Sequence, residues 1–131
     1  MTDDAFIASF EACSLERFPH ADHVKMAFLY LSRYPALEAI ERFSRSLARF
    51  AAAHGKPGRY NETITWAFLL LIRERMVRAG RRQDWTEFAA GNPDLLSWED
   101  GILRKYYREE TLRSDLARSV FLFPDKAATS R

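Results

Sequence analysis

The chain has 131 residues, enough for one domain with its own core and no need of disulfide staples. Its formal charge of +2 is too small for a phosphate-tracking nucleic-acid surface, and its single cysteine, Cys13, excludes an intramolecular disulfide and fits a reducing compartment. Hydrophobic residues make up 47%, while five glycines and five prolines are too few for a β-sandwich with many tight turns.

Met1-Thr2-Asp3-Asp4 is acidic and leads into no apolar signal region. No stretch is long enough to cross a bilayer, so the expectation is a cytoplasmic protein with no membrane partner. Thr2 or Asp3 can cap a first helix to about Cys13, with Phe6, Ser9, Phe10 and Cys13 at helical spacing. Cys13 reads as a small inert core residue. Ser14 restarts a turn over Leu15 to Phe18, which Pro19 breaks.

A second helix is predicted from about His20 to Arg33. On a helical wheel His20, Val24, Ala27, Leu31 and Tyr34 share one stripe, and His23 lies about 60° from His20 on the same side. Leu29 falls opposite that stripe, a hint of an apolar face left for a partner. Pro35 suits the first position of a third helix to about His54. Its inner stripe is Leu37, Ile40, Ser44, Leu47 and Ala51, flanked by Phe43 and Phe50. Glu38–Arg42 and Glu41–Arg45 are i,i+4 pairs with the acid first, the better order. Gly55 fits a left-handed cap, and Lys56-Pro57-Gly58 cannot continue the helix.

The rest of the chain is organised around Tyr60 to Ala79. Its middle, Ile64 to Ile72, is apolar at almost every position, too short to span a bilayer and too long for a typical strand. It reads as a helix buried on most of its circumference, capped by Asn61 and ended by Gly80. On that reading Leu70→Asp or Leu71→Asp unfolds the domain. Further on, Asp84 can cap a helix over Trp85 to Ala90, and Pro93 opens another helix around Asp94 to Trp98. A helix kinked at Gly101 is predicted over Trp98 to Tyr107, and a last one over Glu109 to Val120 with Leu112, Leu116 and Val120 on one stripe. Phe121-Leu122-Phe123 reads as a hydrophobic anchor. The fold class is therefore all-α: a single-domain helical bundle over residues 1–125 around the helix at about 61–79, with a disordered tail at 126–131.

Short connections make consecutive helices antiparallel. The start of the second helix, the end of the third and the start of the central one then share one end of the bundle. His20, His23 and His54 all fall in that set, with Tyr60, Asn61, Glu62 and Thr63. One reading is a metal site, in which His20, His23 and His54 give nitrogen and Glu62 oxygen to a divalent transition metal, Zn or Fe. The H-x-x-H spacing is common by chance, and no H-E-x-x-H accompanies it. A metal-free reading makes His23 a general base with Tyr60 or Glu62 as its partner or as the acid, acting on a small-molecule ligand. The plainer reading is structural: His20 caps a helix start, His54 is a helix-end cation, and Asn61 and Glu62 are ordinary helix-start residues. A separate function class is a helical interaction module without catalysis, with a homodimer as one form.

Other features rank lower. Arg73, Arg75, Arg78, Arg81 and Arg82 form a basic patch that matching a helix C-terminus explains. Trp66, Trp85 and Trp98 read as core, and Asp115 with Arg118 as a local ion pair. The stretches H-A-D-H-V-K-M-A-F-L-Y-L, H-G-K-P-G-R-Y-N-E-T-I-T-W and S-D-L-A-R-S-V-F-L-F-P-D resemble small all-helical bacterial proteins with no assigned activity. The likeness covers most of the chain. In such proteins the segment written here Tyr60-Asn61-Glu62-Thr63 often has His in second place. Asn61 departs from that pattern, which the resemblance implies would weaken or remove a metal ligand.

Overall fold

A computed structural model describes residues 1–98 and 101–126 of the chain. Their regular structure is helical throughout: α1 (Asp3–Glu11), α2 (His20–Arg33), α3 (Ala36–Ala53), α4 (Glu62–Arg78), α5 (Trp85–Gly91), α6 (Glu109–Leu112) and α7 (Asp115–Ser119). Short 3-10 turns at Pro57–Arg59, Pro93–Leu95 and Ile102–Lys105 link them, and the second is all that forms of the helix expected around Asp94 to Trp98. Among the described residues no helix is long and apolar enough to cross a membrane. The tail expected at 126–131 lies outside the described residues except for Lys126.

Local chemistry sets the helix ends. The Thr2 hydroxyl accepts the Ala5 N–H at 3.1 Å and starts α1. α1 closes with two back-turned bonds, Ser14 N–H to the Ser9 carbonyl at 2.9 Å and Cys13 N–H to that of Phe10 at 3.0 Å. Cys13 therefore sits at φ 60°, in the left-handed position that usually goes to glycine, and is only partly buried. Its role is in the turn, not the core. α3 closes the same way with Gly55, at φ 74°. Its two bonds run from Lys56 N–H to the Ala51 carbonyl at 2.8 Å and from Gly55 N–H to that of Ala52 at 3.0 Å.

The core is one cluster to which α1, α2, α3, α4 and α5 all contribute. α4 packs against α2, α3 and α7, which gives it the central place its apolar middle calls for. Its enclosure is uneven. Leu69 and Ile72 are fully buried and Leu71 packs partly buried against the core, but Leu70 is 45% exposed, so Leu70 is not the unfolding site that the apolar run suggests. α2 is the more completely wrapped helix. Met26 to Tyr30 are buried at five successive positions, because α3, α4 and α5 cover it from different sides. Leu29, read as an outward residue, is 6% exposed and belongs to the core.

The buried row of α3 is Ala39, Ile40, Phe43 and Ser46, about one position away from the expected stripe. Leu37 is consequently 83% exposed. The outer pairs form, with Arg42 at 2.7 Å from Glu38 and Arg45 at 3.5 Å from Glu41. Three arginines of the basic patch are paired as well, though Arg73 and Arg82 form no ion pair among the described residues. Arg75 holds Asp94 through two bonds of 2.7 and 2.8 Å, Arg78 pairs with Glu74, and Arg81 with Glu87. Trp66 and Trp85 pack against the core, whereas Trp98 is 49% exposed.

The last helix is two helices. The Ser114 hydroxyl accepts the Ala117 N–H at 3.1 Å, and this new cap breaks the run between α6 and α7. The break changes the phase: Ala117 is buried, while Leu116, expected inside, is 60% exposed. Asp115 and Arg118 form the expected pair. Of the helix expected over Trp98 to Tyr107, residues 99–100 lie outside the described residues, and the described part is the 3-10 turn at Ile102–Lys105. The anchor after α7 holds through Phe121 and the backbone around it, while Phe123 is 83% exposed. Thr63 donates its hydroxyl to the Val120 carbonyl at 2.8 Å and accepts the Leu122 N–H at 3.1 Å, and Phe121 stacks on Trp66 at 5.7 Å.

Candidate functional site

α2 begins, α3 ends and α4 begins around one cavity of about 470 Å³. That lies within the usual range for small-molecule sites, roughly 300–1,000 Å³. Its walls are mainly apolar, with Val24 and Ala27 from α2, Phe43 and Leu47 from α3, and Phe68 and Leu69 from α4. All three histidines line it, together with Tyr60 and Asn61. The convergence expected from antiparallel short-linked helices is therefore present. Glu62 is not among the lining residues.

Each histidine has its own anchor. His20 meets the Leu95 carbonyl through Nε2 at 2.9 Å, and its ring packs against Phe68 at 5.0 Å and Trp98 at 5.4 Å. A carbonyl only accepts, so Nε2 carries the proton there. Burial lowers the pKa of His20, and the bond to Leu95 offsets part of that. His23 lies against Phe18 with ring centroids 4.1 Å apart. Burial, and then the neighbouring His20, lower its pKa to about 4. At neutral pH it is an uncharged imidazole, able to donate through one nitrogen and accept through the other.

His54 stacks on Phe50 at 4.2 Å, with Nδ1 3.0 Å from the Phe50 carbonyl and Nε2 3.2 Å from that of Leu15. It ties the end of α3 to the loop before α2. Tyr60 donates its hydroxyl to the Glu62 carboxylate. Burial and that bond hold its pKa above the ordinary phenol value, so the phenol stays protonated. Asn61 makes one bond through each end of its side-chain amide. Its side-chain oxygen caps α4 by accepting the Ile64 N–H at 2.9 Å, and its amide donates to the Leu112 carbonyl at 2.8 Å.

These commitments bear on the sequence readings. Among the described residues no group of three or more His, Cys, Asp or Glu side chains is placed to hold a metal ion. His20, His23, His54 and Glu62 are not grouped as a ligand set: Glu62 is turned to Tyr60 and both His54 nitrogens face backbone carbonyls, whereas His20 uses only Nε2, on Leu95. As for His23, Tyr60 and Glu62 as an acid–base group, the structure joins Tyr60 to Glu62 and places His23 on the same cavity, against Phe18.

Other lining residues carried little sequence signal. Glu16, Lys56 and Arg59 line the cavity and are exposed, which puts them at its mouth. Lys56 and Arg59 sit in the Gly55-to-Arg59 connection, where glycine and proline spell only a helix break. Phe18 and Phe50, 5.2 Å apart, link the His23 and His54 stacks into one aromatic wall. Aromatic residues near histidines in sequence were the available signal, and it does not separate a wall from a filled core. Compared with protein-family models, curated proteins and solved structures, the chain matches none of them.

Proposed function

We propose that the cavity binds a small, largely apolar molecule. The observation that carries this is an apolar hollow of about 470 Å³ into which a few polar groups converge. Neutral His23 and protonated Tyr60 offer direction without charge, which suits a ligand fixed by one or two hydrogen bonds. The Tyr60 proton goes to Glu62, so its oxygen is the group left to accept. His23 and Tyr60 remain the residues through which acid–base chemistry on such a ligand would run.

The test is a fluorescence titration with the neutral probe N-phenylnaphthylamine, displaced by decanol. Saturable binding with displacement is expected. Ala51 lines the cavity from α3, so Ala51→Trp fills it from the wall. That variant should keep wild-type helical circular dichroism and lose the probe signal. Unchanged probe binding in Ala51→Trp, or none in the wild type, defeats the reading.

A second reading is an interaction module, such as a homodimer. It is favoured by the exposed apolar residues Leu116, Val120 and Phe123, which lie close together along the chain in and after α7. Light scattering over a concentration series decides it: a constant monomer mass excludes the dimer.

A further inference from the structure

The chemistry at the mouth narrows the ligand class, on the reading that the cavity takes a small molecule. The mouth carries two cations, Lys56 and Arg59, and one carboxylate, Glu16. Neither cation is paired with a carboxylate among the described residues; the same is true of Arg17, Arg49, Arg73 and Arg82, but only Lys56 and Arg59 of these line the cavity. Both sit on one short connection whose backbone is held at each end. Lys56 N–H bonds back to Ala51, Arg59 N–H to the Lys56 carbonyl at 3.0 Å, and Tyr60 N–H to that of Pro57 at 3.3 Å. The two cations are thus presented from a fixed turn over an apolar hollow.

Inside the hollow the polarity differs. The walls from α2, α3 and α4 are aliphatic and aromatic, and the lining groups that hydrogen-bond are already anchored to carbonyls or to Glu62, apart from part of His23. His54, exposed on the mouth side, keeps both ring nitrogens against the Phe50 and Leu15 carbonyls. The deeper walls carry no lysine or arginine, and desolvating a carboxylate there would be costly. An anionic head therefore belongs at the mouth, and an apolar tail belongs in the cavity.

We infer that the ligand is a carboxylic acid with an apolar tail, bound tail-first, its carboxylate lying between Lys56 and Arg59. Arg59 offers the paired donors that match a carboxylate, and Lys56 adds a point charge. Glu16 at the same mouth disfavours a second negative charge, so a monoacid fits better than a diacid.

The experiment is calorimetric titration at pH 8 with decanoate, decanol and decyltrimethylammonium, each below its micellar concentration. Decanoate should bind about tenfold more tightly than decanol, as expected of two exposed ion pairs. The ammonium compound should bind weakest. In the double variant Lys56→Gln/Arg59→Gln decanoate should fall to the affinity of decanol, and decanol should not change. Raising salt should weaken decanoate alone, and that arm needs no variant. Equal affinity for decanoate and decanol in the wild type, or a double variant that keeps the preference, overturns the head-group assignment and leaves the cavity reading standing. No binding of any of the three overturns both.

Discussion

The two ends of α2 show the same helix put to different uses. Toward its C-terminal end, Phe28, Leu29 and Tyr30 are buried without a gap. Tyr30 packs edge-on against Phe10 and Phe43 at 6.1 and 5.6 Å, and its hydroxyl reaches Glu11 at 2.5 Å. Large aromatic rings fill that end, and its polar handle is satisfied. At its N-terminal end, Ala27 and Val24 face a hollow, and two partly buried imidazoles stand where bulk would otherwise close it. Small side chains and half-desolvated histidines are a poor way to build a core. They suit a cavity with directional groups on its wall. Phe43 belongs to both regions, so the packed end supports the hollow one.

The sharpest way to break this comparison is at the packed end. Phe10 is fully buried, and Phe10→Ala should cost about 3–5 kcal/mol in urea unfolding. A loss below about 1 kcal/mol would show that this end is not the rigid one.

The next effect belongs to the hollow end and appears as pH dependence. His23 has its pKa lowered to about 4 in the folded chain, against an ordinary value of 6.5. Between those values the unfolded chain binds more protons, so stability is complete above about pH 6.5 and falls as the pH drops toward 4. The loss attributable to His23 is about 3 kcal/mol, and His20, shifted in the same direction, adds to it. Unfolding at pH 7 and pH 4 in wild type and His23→Leu separates this from carboxylate effects common to both. Equal pH dependence in the two proteins would mean that His23 is not held neutral by burial.

Asn61→Ala should cost about 1–2 kcal/mol, because it removes the α4 cap and the tie to Leu112 together. Thermal melts measure it, and an unchanged melting temperature would detach Asn61 from both roles. The smallest effect is expected on the outer side of α4. Leu70 is 45% exposed, so Leu70→Asp should cost about 1 kcal/mol or less. A loss as large as that of Phe10→Ala would restore the view of α4 as a helix enclosed all round.

Much of the helical layout was legible because punctuation residues carry local physics. Pro19, Pro35, Gly55, Asn61 and Asp84 mark ends that the structure keeps to within a residue or two. The meeting of the three histidines was legible too, since connection length alone makes neighbours antiparallel. What periodicity left open was which face a neighbour covers. It placed Leu37 inside and Leu29 outside, and packing of α2 and α3 against the other helices reverses both. Ser114 illustrates a different limit. Its hydroxyl caps α7 inside what reads as one apolar-periodic helix, and only the bond to Ala117 shows that the helix has restarted. The cavity was invisible in sequence, because residue types record what fills space and not what is left empty. Lys56 and Arg59 were passed over since they occupy a loop whose glycines and prolines dominate its reading.

The paired bonds that close α3 also bear on speed. With Lys56 N–H returned to Ala51 and the next turn closed by Arg59 and Tyr60, the mouth has a hydrogen-bonded frame with Gly55 as its left-handed pivot. A frame of this kind need not swing aside to admit a guest. Entry would be governed by encounter, and the observed rate would climb in proportion to guest concentration without the plateau that a gating loop imposes. Selectivity would then reside in how long the guest stays, which is set by the walls from α2, α3 and α4 together with the two cations at the opening, Lys56 and Arg59.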